Sequence, residues 1–333
     1  MLQVIVVCMY IVSGISGSKI ADIAAVGTTM KDTMRREGYD AGETAAVLAS
    51  GAVMGETVPP SIAMLVLASV TSLSIGTLFV AGLLPAAVMA ACLMVLIYFR
   101  AGRRDSTRKA SPAEIGRAGV RAIPALVAPL ILIGGIVSGI ATPTEVSSTA
   151  VIYALVLAAG FYRALTFRQF WRVLASTAAQ AGMVLFITST ASTFSWSLTL
   201  AKMPQSIAAL FSVLHGSAAL FLLATIVTLV LMGALLEGLP ALLIFGPLLL
   251  PLAPAFGINP LQYGLLLIIA MGLGAFSPPI GVGMFVTCSI CDTSMENAAR
   301  HMVPYLVVLA IGLLLVAFVP WFSLVGPALM GMS

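Results

Sequence analysis

Charge is scarce in this sequence. Of its 333 residues only 8% are Asp, Glu, Lys or Arg, while 60% are hydrophobic. Soluble globular domains carry about 25% charged residues, so the deficit excludes a chain that faces water over its whole surface. The scarcity is also positional. No Asp, Glu, Lys or Arg occurs between Glu56 and Arg100, Arg121 and Glu145, Arg172 and Lys202, Lys202 and Glu237, Glu237 and Asp292, or beyond Arg300. A spanning helix needs about 20 apolar residues; several of these stretches hold one span and some hold two. Cysteine and histidine are few as well, four and two. Cys288 and Cys291 form a C-x-x-C with no second pair and no nearby histidine, and are read as small buried helix residues. His215 and His301 are isolated in sequence and are assigned no chemistry. There is no H-E-x-x-H, no P-loop and no G-x-S-x-G, so hydrolysis within the membrane and direct use of ATP lack support. The chain is expected not to be an enzyme and to need no cofactor beyond coupling ions.

What charge there is falls in blocks. Seven basic residues, Arg100, Arg103, Arg104, Arg108, Lys109, Arg117 and Arg121, lie in one segment, and Arg163, Arg168 and Arg172 in the next. The turn between them, Thr142-Pro143-Thr144-Glu145, has no basic residue. Cytoplasmic loops collect Lys and Arg, which places the basic loops 100–121 and 163–172 in the cytoplasm; next to apolar spans, nucleic-acid binding is the weaker reading. The apolar stretch 1–12 has no basic region before it and no peptidase pattern, and is read as part of a membrane element rather than a signal.

A repeat runs through the chain. A shift of 219 residues carries Gly55-Glu56-Thr57-Val58-Pro59-Pro60 onto Gly274-Ala275-Phe276-Ser277-Pro278-Pro279, Gly27 onto Gly246, Gly38 onto Gly257, Asp40 onto Asn259 and Pro85 onto Pro304, without gaps. Glycine and proline matches carry weight here, because any two membrane segments share Leu and Val by chance. The expected organisation is a first repeat at 1–99, a basic loop at 100–121, connecting membrane helices at 122–215 and a second repeat at 216–333. The apolar stretches lack period-2 alternation, so the spans are helices rather than barrel strands. Each half reads as an apolar helix, a small-residue break (Ser13–Ser18 or Gly233–Gly238), a returning helix, a turn, and a helix broken at Pro-Pro: a re-entrant hairpin followed by a discontinuous helix.

Two consecutive prolines remove two backbone donors and clash with the preceding turn, so each Pro-Pro helix opens. Carbonyls freed at membrane depth persist where they line a cavity or bind something, and a sodium ion accepts a shell of neutral oxygens. The opening also exposes a half-helix N-terminus, favourable for an anion. One such break is as readily a plain kink; two at equivalent places favour a transport site. Gly17, Thr57, Pro59, Ser61, Pro278 and Pro279 are therefore candidates for substrate handling or coupling. Ser16-Gly17-Ser18 supplies hydroxyls and close backbone approach at the first hairpin tip. Glu56 and Glu237 are acids in apolar surroundings, and such acids relay protons, bind cations or cap half-helices. Lys19 and Asp22 stand a helical turn apart, where they can pair.

Taken together, S-G-I-S-G-S at 13–18, G-E-T-V-P-P-S at 55–61, T-P-T-E at 142–145 and G-x-x-S-P-P-x-G at 274–281 resemble the large permease subunit of the tripartite ATP-independent periplasmic (TRAP) transporters, of the dicarboxylate-permease type. The resemblance covers essentially the whole chain. It implies an all-α integral membrane protein with an elevator fold of the ion-transporter superfamily, built on two inverted repeats. It also implies import of an organic acid, typically a carboxylate, coupled to sodium, in the bacterial inner membrane. The implied partners are a small four-helix permease subunit and a periplasmic substrate-binding protein. One implied sodium site uses Ser16, Ser18, Gly55, Val58 and Pro60; the other uses Gly233, Gly274 and Ser277. Such subunits carry further membrane segments before the first hairpin, so the chain reads as an N-terminally short version. Alternatives are a proton-coupled or channel-like permease using Glu56 and Glu237 as relays, and a truncated assembly subunit that does not transport.

Overall fold

The structure is a computed structural model; it describes residues 1–100, 111–203, 205, 206, 209, 217–236 and 238–332. Among the described residues it is helical throughout, without strands. Among the described residues, seven helices are long and apolar enough to cross a membrane, as the uncharged stretches lead one to expect. The chain divides into two compact units, one of Met1–Asp105 with Ser192–Ser333 and one of Ser106–Ala191.

The first unit opens with a helical hairpin. α1 (Leu2–Ser16) ends at Gly17, whose φ of 63° lets its amide close back on the Ser13 carbonyl. Glycine adopts this left-handed conformation without the Cβ penalty. α2 (Lys19–Arg36) returns and ends on Arg35 and Arg36, cations suited to a helix C-terminus. At 1.5 Å per residue the 15 residues of α1 reach about 22 Å, short of the roughly 30 Å hydrocarbon core. The side chain of Asp40 then caps α3 (Ala41–Gly55) by accepting from the Gly42 and Glu43 amides. Residues 56–61 are not helical and contain a cis Pro59–Pro60 bond. Ser61 caps α4 (Ile62–Val70), and α5 (Ile75–Arg100) follows.

The chain re-enters this unit through the second hairpin. α9 (Ala218–Leu236) leads up to residue 237, and α10 (Gly238–Leu249) returns, finishing in a 3-10 turn, Leu250–Phe256. Asn259 caps α11 (Pro260–Ala275) through the Leu261 amide. A break at 276–281, with a cis Pro278–Pro279 bond, leads into α12 (Val282–Cys291), α13 (Met295–Phe318) and α14 (Trp321–Leu329).

The two halves of this unit run in opposite directions. The start of α3 meets the end of α12 and the start of α13: Asn297 Nδ2 donates to Asp40 Oδ1 at 2.9 Å, and Lys31 pairs with Asp292 at 3.1 Å. Arg100 stacks over Tyr305 at this same end, 5.7 Å from the ring centroid. The start of α11 lies at the other end, where Asn259 and Pro260 share a cavity with Ser72, Ser74 and Leu324. Both ends of the first hairpin lie on the Asp40 face. Both ends of the second lie on the Asn259 face, where Phe221 stacks on Phe256 at 4.4 Å and on Tyr263 at 5.3 Å.

Helices apolar on all sides lie in a protein core or in lipid, and the two broken helices lie in the core. Every residue of α3 from Thr44 to Gly55 is buried, as is every residue of α11 from Gln262 to Ala275. Glycines set their spacing: a Cβ on Gly51 would stand 2.9 Å from Met9 Cγ. Two polar groups caught inside find partners there, Thr225 with Tyr263 at 2.8 Å and Gln262 Nε2 donating to the Ala317 carbonyl at 2.6 Å.

In the second unit, α6 (Pro112–Val137) and α7 (Pro143–Val156) start with capping boxes, Ser111 with Glu114 and Thr142 with Glu145. The T-P-T-E motif is thus a helix start, with Pro143 in the first turn. Tyr153 Oη donates to the Pro124 carbonyl at 2.8 Å and Tyr162 Oη to the Arg121 carbonyl at 3.0 Å, tying α6 to the α7 segment. The apolar windows of α6 and of Pro143–Phe161 are only 6% and 11% buried, so their apolar sides face outward, as a bilayer requires. The basic segments are not loops along their whole length. Arg117 and Arg121 lie on α6, and Arg168 and Arg172 on α8 (Phe167–Leu200); Ser111 and Thr166 start these helices earlier than the charge blocks suggest. Residues 101–110 lie outside the described residues.

Candidate functional site

The tip of the first hairpin packs on the first broken helix. A Cβ on Gly17 would stand 2.4 Å from the Pro60 carbonyl oxygen, and the Gly17 carbonyl accepts from the Ile62 amide at 3.4 Å. Gly14 lies against Val58 and the Pro59 carbonyl, its notional Cβ 3.6 Å and 3.8 Å away. Gly55 faces Ser13 Oγ, 2.6 Å from a Cβ built there. α5 closes the other side, where Gly82 leaves room for the Thr57 carbonyl. Ser16, Gly17, Ser18, Gly55, Val58, Pro59 and Pro60 are thus gathered into one neighbourhood of freed carbonyls and hydroxyls. Ser61 is used as the cap of α4, and Thr57 Oγ1 is buried with no hydrogen-bond partner among the described residues.

A carboxylate stands in this neighbourhood. Asp22, fully buried, accepts from Ser13 Oγ at 2.5 Å and from Ser16 Oγ. It does not pair with Lys19, contrary to the helical-turn expectation. Lys19 turns instead to Glu56, with Nζ 2.7 Å from Oε1, and both side chains are more than nine-tenths buried. The spacing along α2 pointed to a local pair; the break brought Glu56 to Lys19 and left Asp22 to the serines across the tip.

The second hairpin repeats the arrangement. A Cβ on Gly233 would stand 2.4 Å from the Met271 carbonyl oxygen, and one on Gly274 would stand 2.2 Å from the Val230 carbonyl oxygen, so α9 and α11 meet backbone to backbone. Gly233 is the 219-residue counterpart of Gly14. Ser277 donates through Oγ to the Leu273 carbonyl at 2.7 Å, which holds its oxygen at the mouth of the break. This break is more open than the first: Pro59 is buried, whereas Ser277 and Pro278 are half-buried and Pro279 is exposed. Gly233 does not interrupt its helix, which continues to Leu236. Glu237 and His215 lie outside the described residues.

His301, isolated in sequence, has a partner: its Nε2 lies 3.4 Å from Asp40 Oδ1. Cys288 and Cys291 are buried and free, as read. Partial burial would raise the Asp40 carboxyl. Hydrogen bonds from Asn297 and from the Gly42 and Glu43 amides, with His301 close by, outweigh it and hold the group below its ordinary value.

Ser13, Lys19 and Asp22, and the glycines at 238 and 272 that face the Lys19–Glu56 pair, were not singled out as site residues. The available signal was charge alone: among the residues of α1 and α2 before Met30, Lys19 and Asp22 are the only charged ones.

Comparison with known proteins matches the sequence to a family. The profile described as "Tripartite ATP-independent periplasmic transporter, DctM component" matches residues 1–322. The chain is 34% identical over 317 residues to the 2,3-diketo-L-gulonate TRAP transporter large permease protein of Escherichia coli K12, covering 95% of this chain and 75% of that protein. It is 33% identical over 331 residues to the C4-dicarboxylate TRAP transporter large permease protein of Pseudomonas aeruginosa, covering 99% and 77%. It is 33% identical over 319 residues to the sialic acid TRAP transporter large permease protein of Vibrio cholerae, covering 95% and 75%.

Proposed function

The chain belongs to the DctM family of tripartite ATP-independent periplasmic transporters, and from that premise we propose that it imports an organic acid, typically a carboxylate, across the bacterial inner membrane with sodium coupling. It works with a small permease subunit and receives its substrate from a periplasmic binding protein. The relatives named above carry different acids, so the family leaves the particular acid open.

The observation that carries the reading is the packing of each hairpin tip on its broken helix. At the first, Gly14 and Gly17 bring the tip against the carbonyls of Pro59 and Pro60. Pro59 and Pro60 lie outside both helices, so their carbonyls belong to no helical ladder, and their missing N–H groups leave the Gly55 and Glu56 carbonyls without the donors a continuous helix would supply. With Ser16, Ser18, Gly55 and Val58 they offer the neutral oxygens that sodium accepts. At the second, Gly233, Gly274 and Ser277 do the same. Sodium is a transported co-substrate here, bound on one side of the membrane and released on the other.

The opposite run of the two halves supports reading them as inverted repeats. Each hairpin then opens toward one side of the membrane, and both tips meet near the midplane. Movement of this hairpin core across the membrane would deliver the site to either side. With the basic segments cytoplasmic, the Asp40 face is the cytoplasmic one.

Thermal stability of the purified chain in detergent tests the ion sites. A ligand that binds only the folded state stabilises by RT ln(1 + [L]/Kd), about 1.4 kcal/mol at ten times Kd. A saturable rise in NaCl over equal KCl, reduced in Ser277→Ala, is expected. Identical curves in the two salts would remove sodium from the reading.

A further inference from the structure

The buried Lys19–Glu56 pair is incompletely coordinated. Lys19 Nζ lies 2.7 Å from Glu56 Oε1, yet it has no acceptor in hydrogen-bonding alignment, and Glu56 Oε2 has no donor among the described residues. A buried ion pair holds its place well only when the remaining donors and lone pairs are also met. Even with one N–H turned to Oε1, two ammonium protons and one carboxylate oxygen have no partner among the described residues, at a depth where nine-tenths of each side chain is screened from solvent.

Glycines wall the pair so closely that not even a methyl would fit beside it. A Cβ on Gly238 would stand 2.6 Å from Lys19 Nζ and 3.5 Å from Glu56 Oε1; one on Gly272 would stand 2.9 Å from Oε2. The Phe276 ring lies 6.0 Å from Nζ. The 219-residue shift pairs Lys19 with Gly238 and Val53 with Gly272. One half therefore supplies the charges, and the other supplies glycine where its counterpart has a side chain. The pair sits where the N-terminus of α2, the end of α3, the start of α10 and the second break converge, and the Ser18 side chain leaves the α2 N-terminus uncapped.

We propose that Lys19 is the carboxylate-binding cation of the transport site, and that Glu56 is an internal carboxylate that occupies its seat until an organic acid displaces it. The proposal rests on the import reading above and names the group that recognises the substrate class. An incoming carboxylate offers Lys19 the aligned acceptors that Glu56 does not. Glu56, once released, is an acid without a counter-ion, which ties departure of the substrate to its return. No covalent step is involved.

Glu56→Gln keeps the volume and removes the competing charge. The full chain, purified in detergent, is melted in rising sodium formate against equal sodium chloride, with formate as the smallest carboxylate probe. The expected result is a saturable formate-specific rise in melting temperature, with a half-maximal concentration at least tenfold lower in Glu56→Gln than in the wild type. The rise is absent in Lys19→Met/Glu56→Gln. No formate-specific rise in Glu56→Gln, or one that persists in the double variant, overturns the proposal. If Glu56→Gln does not fold, Glu56→Ala is purified with and without formate. Recovery that requires formate supports the seat; failure under both conditions makes the pair a structural strut and overturns it. Formate binding by these variants does not depend on transport, so failure of the import reading shows separately, as absent organic-acid uptake by the wild type.

Discussion

Gly17→Ala tests the first tip most sharply. Gly17 has φ +63°, and an L-residue held there costs about 1–2 kcal/mol. The new Cβ would also stand 2.4 Å from the Pro60 carbonyl oxygen, where ordinary contact begins at 3.4 Å, so tip and carbonyl must part by about 1 Å. Overpacking of this kind costs about 1–3 kcal/mol, giving a total loss of about 2–5 kcal/mol. A sodium ion shared between tip and carbonyl cannot span that added distance, so the sodium increment of about 1.4 kcal/mol at tenfold Kd is lost as well. The assay is the melting temperature in detergent across NaCl and KCl. Gly257→Ala is the control: Gly257 has φ +70° but nothing within 4 Å of its notional Cβ, so it bears the strain without the displacement. It should lose stability and keep the sodium response. A Gly17→Ala protein with the wild-type sodium midpoint would refute the reasoning.

Three further outcomes are expected. Gly274→Ala places a Cβ 2.2 Å from the Val230 carbonyl oxygen, where only backbone can move, and should destabilise by about 3 kcal/mol or more in a melting experiment. Asp22→Asn weakens the bonds from Ser13 and Ser16 at a fully buried position; a stability loss of about 2 kcal/mol is expected, and an unchanged melting temperature would mean that the serines are oriented by something else. Asp40, exposed at the Asp40–Asn297–His301 cluster, has a lowered folded-state carboxyl value, so its contribution is present above the unfolded value of about 3.9 and is lost as pH falls through the lower folded value. Asp40→Asn keeps a capping side chain, as Asn259 does in the other half, and should cost little at neutral pH while making the acid limb of the stability curve shallower.

Much of the architecture was legible because the membrane restricts the options. Uncharged stretches of span length without period-2 alternation led to helices, since only helices and closed barrels satisfy the backbone in lipid. Pro59-Pro60 and Pro278-Pro279 marked both breaks because each pair removes two successive backbone donors, whereas the single prolines Pro85 and Pro304 stay inside their helices. The closeness of Gly17 to Pro60 followed from pairing the hairpin tip with the break, whereas the contact of Gly274 with Val230 came from the fold alone. Partnerships across a break were harder to read. Lys19 and Asp22 obeyed helical spacing in sequence, yet the fold pairs Lys19 with Glu56, 37 positions away, and Asp22 with serines on the other arm of the hairpin. Side-chain direction at a tip depends on how the hairpin seats, and one sequence without its fold does not specify that. The same holds for His301, which finds Asp40 only because the two halves run in opposite directions. The basic segments misled in another way: charge marks where a chain leaves the membrane, whereas the caps at Ser111 and Thr166 decide where helix begins.

Uptake by proteoliposomes holding this chain with its small permease partner and binding protein tests the central claim most directly. Labelled succinate, N-acetylneuraminate and 2,3-diketo-L-gulonate are offered under an inward sodium gradient, an inward proton gradient, or neither. The account expects accumulation of an organic acid that needs inward sodium, collapses when sodium is equilibrated, and falls by at least tenfold in Gly17→Ala. Accumulation that follows the proton gradient without sodium, or equilibration without accumulation under every gradient, would contradict it.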